Sequence, residues 1–116
     1  MSAPEKIERK ALLTAAMDGI ESIGRIEIKS IMLAPGQRAG LHLHPCTVVG
    51  YVADGSIRFQ VEGQPARILE KGDPFHEPVN VRIFSFDNAS ENASATFIAF
   101  YLLGPGEDQL IEMLDH

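Results

Sequence analysis

The sequence predicts an all-β domain, a sandwich or barrel of about seven or eight short strands. Apolar and polar residues alternate along several short segments, most regularly from Ile57 to Val61, and this is the pattern of half-buried strands. Glycine and proline, 10 and 7 of the 116 residues, recur between these segments, where turns are expected. Helical spacing is confined to short stretches near the two ends of the chain.

The N-terminal segment 1–23 is less regular than the rest of the chain. Apolar residues between Ile7 and Met17 recur at near-helical spacing, but Asp18-Gly19 interrupts the pattern. A helix and a first strand with a turn therefore both remain open for this segment, which we expect to pack on the barrel. From residue 24 to residue 33 isoleucines alternate with charged residues, and this predicts the first regular strand.

The predicted strands follow one another between turn residues. In chain order they span residues 24–33, 41–44, 48–53, 57–61, 66–69, 81–86 and 96–103. The last of them is apolar at both odd and even positions, which predicts a strand buried on both faces. No internal repeat or linker interrupts the series, so we expect a single domain.

A short amphipathic helix is predicted at the C-terminal end, beyond a Gly-Pro-Gly turn. Leu110, Ile111 and Leu114 would share one face of a helix that begins at Glu107. An acidic residue in the first helical turn is favoured by the helix dipole. The predicted organisation is one domain in three parts: an N-terminal segment (1–23), a barrel (24–103) and a C-terminal helix (104–116).

Composition argues against several classes of function. Ten Lys and Arg against 16 Asp and Glu give a net charge of −6 without a basic run, so nucleic acid is not an expected partner. The longest apolar run, residues 97–103, is far shorter than the roughly 20 residues of a membrane span. A single cysteine forms no internal disulfide, and no targeting segment is visible. We therefore expect a cytoplasmic protein with no membrane partner.

Two histidines separated by one residue, His42 and His44, are the first candidates for chemistry. Because side chains alternate between the faces of a strand, both imidazoles would project to the same side. Neutral imidazole is the commonest nitrogen ligand for transition metals, so the pair is a candidate metal site. The alternative is a pair that lines a pocket or bonds to a backbone carbonyl.

The residues around this pair resemble the two motifs of the cupin family. Gly36 precedes the pair by five intervening residues, and Gly55 comes eleven residues after its second histidine. Gly72 is followed, after five residues, by Pro78. The resemblance covers about residues 24–103. It implies a double-stranded β-helix, or jelly-roll, barrel that is often a homodimer, with a binding or active site inside the barrel mouth.

Two of the four metal ligands that the resemblance implies are missing from this sequence. The glutamate of the first motif is replaced by Val48, or by Val49 at the alternative spacing, and the histidine of the second motif is replaced by Ile83. Only His42 and His44 carry over. We expect Val48 and Ile83 to form apolar pocket walls where the family has ligands.

Three nearby residues are candidates for an additional ligand or pocket position. Cys46 has the same strand parity as the histidine pair, and its thiolate would be a soft ligand. A small buried hydrophobic residue is the alternative for this cysteine. His76 and Glu77 precede Pro78, and one of them could reach the pair. The alternative is that both face solvent.

These observations support a small-molecule-binding cupin barrel with a reduced or weak divalent-metal site at the His-x-His pair. The metal would be zinc, nickel, iron or manganese, weakly held, since two histidines are fewer than the three protein ligands of a catalytic zinc site. The alternative is a metal-dependent dioxygenase, isomerase or lyase acting on a small organic acid or sugar derivative. A purely structural or regulatory dimer module is a third possibility. No catalytic residue can be named, because the fold hosts many activities.

Overall fold

The computed structural model describes residues 7–17 and 22–114, and these residues form nine β-strands and no α-helix. The strands are β1 (Arg25–Leu33), β2 (His42–Leu43), β3 (Thr47–Asp54), β4 (Ile57–Val61), β5 (Arg67–Leu69), β6 (Pro74–Glu77), β7 (Ile83–Asn88), β8 (Ala95–Leu103) and β9 (Glu112–Met113). They build two antiparallel sheets, in the orders β1-β8-β3-β6 and β5-β4-β7-β2-β9. The predicted all-β jelly-roll fold is confirmed.

The two sheets share one apolar core. Strand β8 lies in the interior of the first sheet, where it pairs with both β1 and β3. Its alternate residues from Ala95 to Leu103 are buried in the core, and its intervening residues are half-buried on the outer face. The expected burial of β8 on both faces is therefore complete on only one face. Phe86 and Phe97 pack with ring centroids 4.5 Å apart, an aromatic contact that stabilises the core by about 0.5–1.5 kcal/mol beyond its buried area.

Glycine occupies the turn positions of both sequence motifs for a backbone reason. Gly36, Gly55 and Gly72 have φ angles of 68°, 80° and 91°, a region that residues with a Cβ atom rarely adopt. At Gly55 an added Cβ would also lie 2.9 Å from the Cα of Ala95. The motif glycines thus shape the turns between the strands that carry the site.

Strand β6 was not among the predicted strands. It has only four residues, begins with Pro74 and lies at the edge of its sheet, which is where proline is tolerated because one side of the strand is unpaired. Pairing with β3 turns Phe75 and Glu77 into the core, while His76 lies between them in the strand and is only half-buried. This short strand delivers a carboxylate to the interior.

The predicted C-terminal helix is wrong for the described residues. After the turn at Pro105-Gly106 the chain is extended, and β9 pairs with β2. The Leu114 N–H donates a hydrogen bond to the carbonyl oxygen of Leu41 at 3.0 Å. A helix this short is marginal without extensive packing, whereas the extended chain completes the edge of β2 and packs Leu110 against the core. Residues 115–116, at the end of the predicted helix, lie outside the described residues.

The N-terminal residues 7–17 form neither helix nor strand. Residues 10–13 lie beside Val49, Tyr51 and Phe100 on the outer side of the first sheet. The interruption predicted at Asp18-Gly19 falls outside the described residues. The described part of the chain contains no helix that is long and apolar enough to cross a membrane.

Candidate metal centre

Both histidines of the His-x-His pair are buried inside the barrel. His42 lies in β2 between Ile83 of β7 and Met113 of β9, and His44 follows directly after this strand. The two rings contact each other edge to face, with centroids 5.0 Å apart. The side chains retain only 3% and 5% of their exposure, so their ring nitrogens face protein atoms.

Glu77 brings a carboxylate to the same point from the opposite sheet. Its Oε2 atom is 2.7 Å from Nε2 of His44 and 3.4 Å from Nε2 of His42. The side chain is 4% exposed. One ligand atom from each of the three residues lies within 4.8 Å of the others, so the group could hold a metal ion. Among the described residues no other cluster of His, Cys, Asp and Glu has this geometry.

Backbone carbonyls fix the orientation of both imidazoles. Nδ1 of His42 lies 2.7 Å from the carbonyl oxygen of Gly40, and Nδ1 of His44 lies 2.7 Å from that of Leu110. A carbonyl oxygen only accepts hydrogen bonds, so each Nδ1 must carry the proton and donate. The Nε2 atoms of both rings are then directed at Glu77. Such outer hydrogen bonds are the usual support of metal-ligating histidines.

This arrangement leaves the carboxylate without a donor when both histidines are neutral. Each neutral ring has its proton on Nδ1 and presents a lone pair at Nε2, and Glu77 Oε2 is buried without a hydrogen-bond partner. An unpaired buried acceptor costs about 1–3 kcal/mol, and more when it is charged. A cation or an additional proton between the three groups removes this cost. Two imidazole nitrogens and one carboxylate oxygen are a donor set that fits a divalent transition metal.

The direction of the pKa shifts agrees with this electrostatic coupling. Burial alone would lower the pKa of His42, but its hydrogen bonds to Glu77 and to the carbonyl of Gly40 raise it above the ordinary value. Burial would raise the pKa of Glu77, but its close contacts with the imidazoles of His42 and His44 lower it. Both shifts favour an imidazolium beside an ionised carboxylate over a neutral pair.

An apolar cavity of about 140 Å³ adjoins the three residues. Apart from His42, His44 and Glu77, the only polar side chain among its described lining residues is that of Tyr101. The remaining lining residues are Ile31, Leu33, Ala39, Val48, Phe86, Phe97, Ala99 and Ile111. A largely apolar cavity with a few convergent polar groups is the ordinary form of a small-molecule site.

Tyr101 supplies a phenol that stays protonated at neutral pH. Its ring packs edge-on against His44, with centroids 5.8 Å apart. Burial, followed by the charge of Glu77, raises the pKa of Tyr101 to about 12. The phenol can therefore donate a hydrogen bond to a molecule in the cavity.

Sequence comparison and fold agree on the family. The family model described as the cupin domain matches residues 30–101, which is more than half of the chain. This protein belongs to the cupin family. None of the curated proteins gives a significant match to this cupin.

Solved structures similar to this cupin share its fold. An oxalate oxidase in complex with the substrate analogue glycolate has 22% identity and a TM-score of 0.64, covering 77% of this chain and 46% of that one. A cupin-like protein from Thermotoga maritima has 30% identity and a TM-score of 0.62, covering 77% and 64%. An RmlC-like cupin from Shewanella frigidimarina has 21% identity and a TM-score of 0.59, covering 70% and 68%. The chain spans less than half of the oxalate oxidase.

The other candidate site residues of this cupin lie in different places in the structure. Val48 lines the cavity, but Ile83 does not: it is fully buried in the core beside His42. Cys46 is buried in the core outside the three-residue group, and burial raises the pKa of its thiol to about 11. His76 borders a groove on the other side of the sheet, together with Met17 and Thr47. Of the proposed additional ligands, only Glu77 reaches the histidine pair.

Two functional features were missed by the sequence reasoning. Tyr101 lies within the apolar run of β8, where nothing distinguishes it from its neighbours except strand parity. The carbonyl of Leu110 orients His44, but the sequence pattern predicted that Leu110 lies in a helix. Only the pairing of β9 with β2 brings this segment to the site, and the sequence carries no pattern for it.

Proposed function

We propose that this cupin binds a divalent transition metal through His42, His44 and Glu77, and binds a small organic molecule in the adjoining cavity. The observation that carries the proposal is the buried Oε2 atom of Glu77, which lies beside both Nε2 atoms and has no hydrogen-bond donor while both imidazoles are neutral. A cation at this position would satisfy all three groups at once.

Glu77 makes the proposed site more complete than the weakly held, two-histidine site expected from the sequence. Three protein ligands that leave further positions open are typical of catalytic rather than structural metal sites. Two histidines and one carboxylate are also the ligand set of non-haem iron(II) oxygenases. Iron, manganese, nickel and zinc are all candidates, since each accepts imidazole and carboxylate ligands.

The metal and the residues around it would have separate roles in binding the ligand. A bound metal supplies Lewis-acid polarisation of an oxygen atom in the ligand. The carbonyls of Gly40 and Leu110 hold the imidazoles in one orientation. The Tyr101 phenol donates a hydrogen bond, and the apolar walls exclude water, which strengthens every electrostatic interaction at the site.

Catalysis is the second candidate function, and one observation favours it. Tyr101 places an un-ionised phenol next to the three ligands, where it can donate a hydrogen bond that stabilises negative charge on an oxygen of a polarised substrate. The similar oxalate oxidase makes a small organic acid a reasonable substrate class to test. Turnover should then depend on the metal and fall when Tyr101 is changed to Phe, while metal content stays unchanged.

Metal analysis after dialysis tests the proposal. The wild-type protein should retain close to one equivalent of metal. The double variant His42→Ala/His44→Ala and the single variant Glu77→Gln should each retain little. His76→Gln is the matched control, because His76 neighbours Glu77 in β6 but lies outside the cluster. Full metal retention in Glu77→Gln would contradict a three-residue site.

We further propose that the protein works as a homodimer in the cytoplasm. The support for a dimer is the apolar outer face of the first sheet, where Ile26, Ile28 and Met32 of edge strand β1 are 56%, 62% and 68% exposed. Apolar patches of this kind commonly mark interaction sites. The support for a reducing compartment is Cys46, a buried free thiol.

A further inference from the structure

We propose that the cavity selects a short monocarboxylate with an apolar remainder over a dicarboxylate, and that Ile111 limits the length of that remainder. The proposal rests on the metal site proposed above and names the class of molecule that would occupy it. Three features of the cavity carry it: the charge of the ligand set, the absence of a second cation among the described residues, and the position of Ile111 on the C-terminal chain.

Charge balance favours a ligand with a single negative charge. Two neutral imidazoles and the Glu77 carboxylate around a divalent cation leave one net positive charge. The three side chains are almost fully buried, so this charge is poorly solvated. One monoanion neutralises it. A dianion would leave one negative charge in the cavity.

The described lining of the cavity offers no cation that would pair with a second carboxylate. Its lining contains no Lys or Arg among the described residues, and apart from the three proposed ligands only Tyr101 is polar. A second carboxylate would therefore exchange its water for the side chains of Val48, Phe86 and Phe97. Burial of an unpaired charge against such walls is strongly unfavourable.

The volume of the cavity limits the ligand to a short chain. At about 140 Å³ it is similar to an engineered cavity of about 150 Å³ that binds benzene, so about six non-hydrogen atoms fit. A carboxylate with a three-carbon apolar remainder has this size. Longer chains must displace a wall.

Ile111 is the wall residue best placed to set this limit. It lines the cavity and is still 41% exposed, so its side chain separates the cavity from solvent. The preceding residue in the same extended segment is Leu110, whose carbonyl oxygen accepts the hydrogen bond from His44. Shortening Ile111 would open the cavity outward without removing a ligand or a core residue.

Cobalt(II) as the only metal provides a direct test, because its visible absorption reports both the ion and a change in its ligands. The wild-type protein is loaded with cobalt(II) and titrated separately with isobutyrate and malonate, and protein-bound cobalt is measured after each titration. We expect isobutyrate to bind at least about tenfold more tightly than malonate. Free cobalt(II) has the opposite preference, since malonate chelates it, so the preference must come from the cavity.

Two variants test the length limit with hexanoate. Ile111→Ala should bind hexanoate at least about fivefold more tightly than wild type does, with isobutyrate affinity changed less. Met113→Ala is the matched control, since Met113 is an exposed apolar residue of the same segment that does not line the cavity. It should behave as wild type.

The outcomes separate this inference from the function on which it rests. Failure of the wild-type protein to bind cobalt(II) would overturn the proposed metal site and the inference together. Cobalt(II) binding without a spectral response to isobutyrate, or with equal affinity for malonate, would overturn the monocarboxylate selectivity and leave the metal site intact. Equal hexanoate affinity in wild type and Ile111→Ala would overturn the role of Ile111.

Discussion

Val48 and Glu77 lie directly opposite each other in the antiparallel pair formed by β3 and β6. The resemblance to the cupin motif implies a glutamate at Val48, or at Val49 with the alternative spacing, and the side chains of Val48 and Glu77 line the same cavity. The carboxylate of the site is thus supplied by the neighbouring strand. Cross-strand partners have Cβ atoms about 4.5–5.5 Å apart, so either position can direct a carboxylate towards the histidines.

Exchange of the two side chains should preserve the site. Glu77→Val alone should weaken metal binding by about 100-fold or more, because it removes an anionic ligand. The double variant Val48→Glu/Glu77→Val should recover most of the affinity, since the carboxylate returns from the opposite strand. Competition with a chromophoric chelator measures both values. A double variant that folds like wild type and binds no better than Glu77→Val would contradict the interchangeability of the two positions.

The stability of the metal-free protein should depend on pH through the same residues. The pKa of Glu77 is lowered, so its contribution is present above its ordinary value of 4.5 and is lost as pH falls through the folded value. The pKa of His42 is raised, so its contribution is present below 6.5 and is lost as pH rises through the folded value. With chelator present, urea unfolding should therefore give greater stability at about pH 5.5 than at pH 8.5.

The difference between these two pH values should be on the order of 1–3 kcal/mol, the cost of leaving a buried acceptor unpaired. Glu77→Gln should reduce it, because the amide no longer favours a protonated imidazole. Metal should reverse the trend, since it competes with the proton and binds more tightly as pH rises. Equal pH dependence in wild type and Glu77→Gln would show that other groups control it.

The C-terminal strand should control metal affinity although it supplies no ligand. Leu114→Pro removes the N–H that bonds to Leu41 and should loosen the segment whose Leu110 carbonyl orients His44. Loss of such a supporting contact lowers metal affinity by about 10–100-fold. Leu114→Ala retains the N–H and is the control for the lost side chain. Isothermal titration with zinc compares the two variants, and equal affinities would argue against this coupling.

A second copy of the chain is proposed to cover the outer face of β1 and β8. Light scattering at micromolar concentration should give the dimer mass for wild type and the monomer mass for Ile28→Lys, because a lysine there would place a charge in the interface. Ile68→Lys is the matched control: Ile68 is similarly exposed but belongs to β5 in the other sheet. A monomeric wild-type protein would contradict the proposal.

Alternating apolar and polar residues made most of the strands predictable. The wrong predictions concern segments whose structure depends on pairing with a strand that is distant in the sequence. Strand β4 was predicted with its observed bounds because each of its apolar positions faces the core. Strand β6 was not predicted because it is short and begins with Pro74. Residues 107–114 have the apolar spacing of a helix, but their pairing with β2 outweighs that weak local preference.

The site was only partly predictable for a similar reason. His42 and His44 are two residues apart in the sequence, so local strand geometry alone placed them together. Glu77 is distant in sequence and could be named only as one of three candidates. Its selection over Cys46 and His76 depends on the register between β3 and β6, which no local pattern determines.

A crystal structure of the metal-loaded protein, with an anomalous signal recorded at the absorption edge of the metal, would identify the ligands of the proposed metal site. We expect one anomalous peak inside the barrel, at about 2.0–2.2 Å from Nε2 of His42, Nε2 of His44 and a carboxylate oxygen of Glu77. A peak bound by the two histidines alone, with the Glu77 carboxylate turned away from it, would show that Glu77 is not a metal ligand.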